Sequence, residues 1–183
     1  EFFSDGKRQI NLFIVGVGTV GKKLLAQIQQ QKNFLSEQMN LNLRVVGLAD
    51  SRKMVFNEQG IDLTNYELQI TNSEQNSDLQ NLADIIIEKN LRNSIFVDVT
   101  ASAKVVETYP KLLEKSISII ACNKIAASGE YGKYQKLKDL AREYNANFLF
   151  ETNVGAGLPV INTLNDLTRS GDKINRIEAV LSG

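Results

Sequence analysis

The sequence feature that most constrains the fold is the run Gly16-Val17-Gly18-Thr19-Val20-Gly21, a G-x-G-x-x-G pattern. It follows the apolar segment Ile10–Val15, which predicts a buried strand, and it leads into a helical pattern that starts at Thr19. At such a junction the first glycine permits a tight turn, the second lets a pyrophosphate approach the backbone, and the third lets the helix pack closely on the strand. The phosphates then lie at the N-terminus of the helix. The run therefore predicts dinucleotide binding, although glycine-rich turns also join strands to helices that bind nothing.

Strand and helix patterns alternate along the rest of the chain. The strands are short apolar runs suited to a sheet covered on both faces, and the crossovers are long enough for parallel pairing. The predicted fold class is α/β, a doubly wound Rossmann-type parallel sheet. We predict strands at 10–15, 43–49, 94–99, 117–121 and 147–150, and helices at 19–31, 79–89, 103–115 and 131–144. Residues 33–42 are predicted as a loop, and residues 52–77 as a polar excursion with a short strand at 66–70.

The composition changes after Phe150. A glycine-containing loop at 151–159 precedes a predicted helix at 160–169, with Gly171 as its stop, and a predicted strand at 175–181. We therefore divide the chain into a leader at 1–9, a dinucleotide-binding domain at 10–150 and the start of a second, substrate or catalytic domain at 151–183. Since the chain begins without methionine and ends on a strand-like run, we expect it to be a piece of a longer protein.

Charge and residue content exclude several classes of function. The 21 Lys and Arg residues balance the 21 Asp and Glu residues and are spread along the chain, which argues against a nucleic-acid or membrane partner. No apolar run has the length of a transmembrane helix. The single cysteine, Cys122, cannot form an internal disulfide, which is typical of a reducing cytoplasm. The absence of histidine excludes His-based catalysis and His metal ligands within these residues.

Candidate cofactor residues follow the predicted strand 43–49. Asp50 can accept hydrogen bonds from the adenosine ribose of NAD, whereas Arg52 can pair with the 2′-phosphate of NADP. The alternatives are that Asp50 is a turn residue and that Arg52 is a solvated charge. The sequence leaves the choice between NAD and NADP open.

Two further strand ends carry candidates for the nicotinamide side. Thr100 and Ser102 follow the strand 94–99 and are placed to contact that half of a dinucleotide, or to cap the next helix. Lys124 follows the strand 117–121, where a partly desolvated ammonium would polarise a carbonyl; the alternative is an ordinary solvated lysine. We interpret Cys122 as a small buried residue, because no histidine is present to activate its thiol.

Four motifs in this order resemble homoserine dehydrogenase. They are the glycine run at 16–21, Val-Asp-Val-Thr-Ala-Ser at 97–102, Asn-Lys at 123–124 and Glu-Thr-Asn-Val-Gly-Ala-Gly-Leu-Pro-Val-Ile at 151–161, of which the last is the most specific. The leader at 2–5, with a loop at 40–44, most resembles the dehydrogenase half of bifunctional aspartokinase–homoserine dehydrogenases. Residues 177–183 resemble the strand that opens the family's catalytic domain.

The resemblance implies reversible hydride transfer between homoserine and aspartate semialdehyde, in threonine and methionine biosynthesis, with NADP or NAD. Cofactor contacts would then fall on Val17, Thr19 and Val20, on Arg52 if NADP is used, and on Thr100 and Lys124. A monovalent cation, usually sodium, would be bound by Glu151 and by the backbone carbonyls of Val154, Ala156 and Leu158.

The resemblance also sets limits on this chain. The family's proton-donating lysine and its homoserine-binding acids would lie beyond residue 183, so we expect the chain to be inactive alone. Its dimer contacts also lie largely there, and a homo-oligomer is expected of the full-length protein. Many relatives carry Pro-Asn-Lys-Lys where this chain has Cys122-Asn123-Lys124-Ile125. The rival hypothesis, a non-catalytic NAD(P)-sensing module, would need neither Lys124 nor the loop at Glu151.

Overall fold

The computed structural model describes residues 6–180, apart from the side chain of Gln80. Within this range lies a six-stranded sheet in the order β3-β2-β1-β4-β5-β6. The strands are β1 (Arg8–Val15), β2 (Leu41–Ala49), β3 (Met54–Phe56), β4 (Ser94–Asp98), β5 (Ser118–Ala121) and β6 (Phe148–Leu149). All neighbouring pairs are parallel except β2 with β3, which is antiparallel. The predicted doubly wound α/β sheet is therefore confirmed, with one antiparallel edge strand added.

Helices cover both faces of the sheet. They are α1 (Thr19–Gln38), α2 (Tyr66–Thr71), α3 (Leu79–Lys89), α4 (Ala103–Val106), α5 (Tyr109–Leu113), α6 (Ile125–Ser128), α7 (Tyr131–Glu143) and α8 (Val160–Arg169). Side chains of β1 alternate between the two cores, because successive strand residues point to opposite faces. Phe13 and Val15 pack in the core formed with α3, α5 and α7, while Leu12 and Ile14 pack in the core formed with α1 and α2.

Several predicted elements are confirmed closely. The helices α3 and α8 have the predicted bounds, and α7 ends one residue earlier than expected. Gly171 lies just past the end of α8, where the N–H of Asp172 donates to the carbonyl of Leu167 at 3.0 Å. Strands β1 and β2 each begin two residues earlier than predicted, so part of the expected leader belongs to β1.

Other predictions were wrong. Helix α1 continues to Gln38 where a loop was expected, and Val20 in its first turn is 57% exposed. The segment 66–70 is helical, not extended. The helix expected at 103–115 is two helices, and α6 was not predicted. No strand forms over 175–180; Leu181, like the leader residues Phe2–Asp5, lies outside the described residues.

Among residues 6–180, none of the helices has the length and apolar character needed to cross a membrane.

Candidate functional site

Two glycines of the run 16–21 are required by the packing of the protein itself. Gly16 has φ +105°, and a Cβ there would lie 2.7 Å from the carbonyl oxygen of Val99 at the end of β4. A Cβ on Gly21 would lie 2.1 Å from the carbonyl oxygen of Gly16. Any side chain at either position would collide with backbone, so these glycines let β1, α1 and β4 meet.

Gly18 differs, because no atom of the described residues fills the space beside it. A Cβ there would have no atom of residues 6–180 within 4 Å, and the residue has φ −78°, which any L-residue adopts. Gly18 is the N-cap of α1, a helix of 20 residues with no side-chain cap and no acidic residue in its first turn. The positive end of the helix dipole and its free N–H groups therefore face open space suited to an anionic group such as a pyrophosphate.

The end of β2 lies beside this turn. The N–H of Gly16 donates to the carbonyl of Ala49 at 2.9 Å, which holds the glycine turn against the strand. Oδ1 of Asp50 accepts the N–H groups of Arg52 and Lys53 at 2.6 and 2.7 Å, so Asp50 organises a tight turn. Arg52 is exposed, and its guanidinium makes no ion pair or hydrogen bond within the part of the chain that the structure describes.

The end of β4 carries Thr100 and Ser102, both half-buried. Ser102 is the N-cap residue of α4 but makes no side-chain capping bond, and its N–H donates to Oγ1 of Thr100 at 3.1 Å. The hydroxyl of Ser102 is therefore not used by the helix. Ser102 thus occupies the N-cap position that was predicted as one alternative, while its hydroxyl remains available to a ligand.

The end of β5 brings Asn123 and Lys124 to the same edge. Nδ2 of Asn123 donates to the carbonyl of Ser102 at 3.0 Å, and it lies 3.5 Å from Oγ1 of Thr100. Lys124 precedes α6 and is exposed, which corrects the expected partly desolvated environment. Cys122 is half-buried, where a buried residue was expected.

A buried carboxylate that the sequence analysis missed lies beneath these loops. Asp98 is fully buried, and it accepts hydrogen bonds from the N–H of Thr100, the hydroxyl of Tyr109 and Nδ2 of Asn123 at 2.8, 2.6 and 3.0 Å. Burial and the adjacent Asp98 carboxylate raise the pKa of Tyr109 far above its usual range, so Tyr109 remains a donor. The sequence signal for this carboxylate was an acidic residue inside the apolar run 95–99, because an aspartate is buried only when other groups pair with its charge.

The loop after β6 contains the expected cation ligands. Oε1 and Oε2 of Glu151 accept the N–H groups of Ile161 and Asn162 at 2.9 and 2.8 Å, so Glu151 caps the N-terminus of α8. The carbonyl of Leu158 accepts the N–H of Val160 at 2.9 Å. In residues 6–180 no group of three or more His, Cys, Asp or Glu side chains is arranged to bind a metal ion.

The structure thus brings most of the predicted residues to one edge of the sheet. The glycine turn, Thr100, Ser102 and Lys124 lie at the carboxyl ends of β1, β4 and β5, which is the edge where doubly wound proteins bind ligands. The loop from Glu151 joins them, because Nδ2 of Asn153 donates to the carbonyl of Asn123 at 3.1 Å. Asp50 and Arg52 flank the glycine turn on the β2 side.

Comparison with known proteins gives a consistent result. The sequence profile described as homoserine dehydrogenase, NAD binding domain, matches residues 16–151. The chain is 36% identical to a bifunctional aspartokinase/homoserine dehydrogenase of Haemophilus influenzae, over 98% of the chain and 22% of that protein. It is 33% identical to a homoserine dehydrogenase of Schizosaccharomyces pombe, over 98% of the chain and 48% of that protein.

A solved structure extends the comparison to the fold. A hyperthermophilic archaeal homoserine dehydrogenase in complex with NADPH superposes with a TM-score of 0.69 at 27% identity, over 86% of this chain and 48% of that one. The chain therefore spans 22% of the bifunctional relative and about half of the other two proteins.

Proposed function

The chain belongs to the homoserine dehydrogenase family, and from that membership we propose that it binds NADP(H), with NAD(H) as the alternative, for an enzyme that interconverts homoserine and aspartate semialdehyde. The match of residues 16–151 to the family's NAD-binding domain supports the cofactor class. The relatives named above support the substrates. The observation that carries the proposal is the unfilled space at Gly18, because the fold gives no reason of its own for a glycine there.

The residues proposed to bind the dinucleotide follow the edge of the sheet from β2 to β5. The backbone of the glycine turn, including Val17, Thr19 and Val20, would bind the pyrophosphate at the start of α1. The exposed guanidinium of Arg52 is suited to a 2′-phosphate, which favours NADP. Asp50 retains Oδ2 for a ribose hydroxyl, which would serve NAD. Thr100, Ser102 and Lys124 would bind the nicotinamide half.

For the chemistry, the bound reduced cofactor would supply a hydride to the aldehyde carbon of aspartate semialdehyde, and the oxidised cofactor would accept one from the hydroxyl-bearing carbon of homoserine. The ammonium of Lys124 stands at the end of β5, where its charge would stabilise negative charge that develops on the substrate oxygen. We assign the proton donor to a residue outside this chain. Because Lys124 cannot replace that donor, residues 1–183 are expected to show no turnover by themselves.

We also propose that the loop 151–158 binds a monovalent cation, sodium by preference. A carboxylate offers about four lone-pair positions, so Glu151 retains acceptor capacity after receiving two N–H groups. The carbonyls of Val154, Ala156 and Leu158 would complete an oxygen set of the kind that hard cations prefer. The ion would neutralise Glu151 and order the loop beside Asn153. The donor set fits such an ion, and its role would be structural and electrostatic.

We also propose a cellular location and an assembly for the parent protein. The single cysteine is compatible with a cytoplasmic location, the length of the relatives supports a longer parent protein, and homo-oligomerisation of that parent is expected. The start of a second domain at 151–183 is supported by α8, which has no buried residue. The parent protein would also contain an aspartokinase half if it is bifunctional like the relative from Haemophilus influenzae.

The experiment is a calorimetric titration of the chain with NADPH and with NADH, repeated on Gly18→Ala. Because a methyl group at Gly18 meets no atom in the described part of the chain, Gly18→Ala should fold and lose about 1 kcal/mol of stability at most. It should weaken dinucleotide binding by about tenfold or more, since the methyl occupies the space proposed for the pyrophosphate. Gly132→Ala, on an exposed turn of α7, is the matched control and should bind like the wild type.

Arg52→Ala decides between the two cofactors in the same titration. If Arg52 pairs with the 2′-phosphate, this variant loses about tenfold or more in NADPH affinity and keeps its NADH affinity. An equal loss for both ligands would contradict the assigned role of Arg52. Binding of neither dinucleotide by the wild type would overturn the proposed cofactor function.

A further inference from the structure

The buried Asp98 carboxylate connects the loops after β4 and β5, which the proposed site uses, to Tyr109 in the core. Its Oδ1 accepts the N–H of Thr100, and its Oδ2 accepts the Tyr109 hydroxyl and Nδ2 of Asn123. Burying a carboxylate is costly unless its lone pairs are filled, and an apolar group of similar size often serves stability as well. The presence of an acid at this point therefore calls for a reason beyond core packing.

Asn123 is fixed on every side. Its Nδ2 donates to Asp98 and to the carbonyl of Ser102, and its Oδ1 accepts the N–H of Ile125 at 3.1 Å. Its own carbonyl accepts Nδ2 of Asn153. Asn123 is 1% exposed and directly precedes Lys124. The side-chain amide of Asn123 therefore joins the loop after β4 to the loop after β5, and its backbone carbonyl joins the loop after β5 to the turn at 151–153.

The same network reaches the glycine turn. The bond from Thr100 to Asp98 bends the chain just after β4, and a Cβ on Gly16 would meet the Val99 carbonyl at 2.7 Å and Cγ2 of Thr100 at 3.1 Å. The backbone bond from Val99 N–H to the Val15 carbonyl holds the start of this segment independently of Asp98. Loss of the carboxylate is thus expected to move Thr100 and Ser102 more than the pyrophosphate turn.

We propose that Asp98, acting through Asn123, is a positioning residue for the nicotinamide half of the bound dinucleotide. This inference rests on the proposed function, and it assigns Asp98 no contact with the ligand. The carboxylate holds Thr100, Ser102 and Lys124 in place before binding, so that the ligand does not have to order the two loops after β4 and β5. Such preorganisation by groups behind the binding residues lowers the cost of holding a ligand in one orientation.

The two hydrogen-bond donors to Oδ2 allow a positioning role of Asp98 to be distinguished from a role in stability. Tyr109 is fully buried and packs edge-on against Phe96 and Phe148, so its bond to Asp98 belongs to the core. Asn123 belongs to the loops. Tyr109→Phe removes the core partner and keeps the Asn123 bond, whereas Asn123→Ala removes the loop partner and keeps the tyrosine bond. Asp98→Asn keeps the size of the side chain, but its amide N–H₂ faces the Thr100 N–H in one orientation, and Nδ2 of Asn123 and the Tyr109 hydroxyl in the other, so at least one donor loses its acceptor.

The test uses the full chain and the reduced dinucleotide that the wild type binds, together with the matching ADP-ribose, which lacks nicotinamide. Each variant is checked for folding by circular dichroism. The readouts are the dissociation constants and the fluorescence of the bound reduced nicotinamide at saturation. We expect Asp98→Asn and Asn123→Ala to weaken dinucleotide binding by about tenfold, which corresponds to about 1.4 kcal/mol, and to shift the bound emission toward that of the free cofactor. ADP-ribose affinity should stay within about threefold.

Tyr109→Phe is the matched control and should melt at a lower temperature while keeping dinucleotide affinity and bound emission. The inference is overturned if Asp98→Asn and Asn123→Ala bind with wild-type affinity and emission, or if Tyr109→Phe loses as much as they do. If Asp98→Asn does not fold, Asn123→Ala alone decides between these results. A wild type that binds no dinucleotide would instead overturn the proposed function, and binding of ADP-ribose alone would overturn the positioning role.

Discussion

Tyr109 shows how one residue couples the core to the candidate site. Its ring is fully buried against Phe96 of β4 and Phe148 of β6, and its hydroxyl donates to Asp98 at 2.6 Å. Burial first, and the Asp98 carboxylate second, raise the pKa of the phenol well above its ordinary value of 10.0. The folded protein therefore keeps the Tyr109 proton at pH values where the unfolded chain releases it.

This difference predicts an alkaline loss of stability. Above pH 10 the folded state binds one more proton at Tyr109 than the unfolded state, so its contribution to stability falls by about 1.4 kcal/mol per pH unit. Below pH 10 Tyr109→Phe should be less stable than the wild type by about 1.5–3 kcal/mol, because it lacks a hydrogen bond to a charged group. Above pH 10 this difference in stability between the wild type and Tyr109→Phe should shrink by about 1.4 kcal/mol per pH unit.

Urea unfolding of both proteins between pH 8 and pH 11.5 measures the effect. Tyr131→Phe, which removes a hydroxyl from a ring that is 73% exposed, is the control for losing one tyrosine. A difference between wild type and Tyr109→Phe that stays constant across this range would show that the buried phenol ionises in the folded protein as it does in the unfolded one.

Among the elements, those with clear apolar periodicity were predictable. Helices α3 and α8 were predicted with their observed bounds, since their apolar residues recur at helical spacing. The segment 66–70 was not, because Tyr66, Leu68 and Ile70 share a face in a strand. In α2 only Tyr66 and Ile70 face the core, as residues four apart do in a helix, and Leu68 is 64% exposed.

Two other errors have local causes. Pro110 lies in the first turn of α5; it has no N–H to donate and its ring would clash with the carbonyl of Val106, so one long helix is not possible. The extension of α1 to Gln38 could not be predicted from apolar periodicity, because this part of the helix has no buried face and Phe34 is 53% exposed. The absence of Gly and Pro between Gly21 and Gly47 was the usable signal.

The packing of β3 on the sheet gives a prediction at the level of elements. Gly47 in β2 lies under two rings, and a Cβ there would be 2.6 Å from Cδ1 of Phe13 and 2.9 Å from the Phe56 ring. Gly47→Ala should therefore overpack this point and destabilise the protein by about 1–3 kcal/mol. The double variant Gly47→Ala/Phe56→Leu should recover part of that loss, because Phe56 is only half-buried at the edge of the sheet.

A double-mutant cycle by urea unfolding measures this coupling, with Phe56→Leu alone as the fourth protein. A favourable interaction of about 0.5 kcal/mol or more between the two changes is expected for residues in contact. Strict additivity would mean that the strain is relieved elsewhere and not at Phe56.

At the scale of the molecule, the sequence predicted the edge of the sheet that carries the candidate site but not what holds it together. Gly16–Gly21, Thr100 and Lys124 were found because each follows a strand, and parallel strands end at one edge. Asp98, Asn123 and Asn153 were missed as a group, since their hydrogen bonds join residues up to 30 positions apart. Such contacts depend on the register of β4 and β5, which periodicity does not give.

The boundary proposed near Phe150 leads to a prediction for the whole chain. Within residues 160–180 no residue is buried, and α8 makes its capping bonds to Glu151 in the turn that precedes it. Both cores are formed by residues of 12–148. A chain that ends at Leu158 should therefore lose about 1 kcal/mol or less of stability, which is about 2–4 °C in Tm for a protein of this size. It should bind the dinucleotide with an affinity within about threefold of the full chain.

Leu112→Ala in the full chain provides the comparison, because Leu112 is fully buried and its truncation should cost about 2–5 kcal/mol. Thermal unfolding followed by circular dichroism and the same cofactor titration measure both variants. If residues 1–158 melt as early as Leu112→Ala, or if they lose dinucleotide binding, then α8 and the segment after it are an integral part of the nucleotide-binding unit. The division at residue 150 would then be wrong. Because the segment 160–180 contributes no buried side chain, its effect on stability or binding would have to come from contacts at the edge of the site.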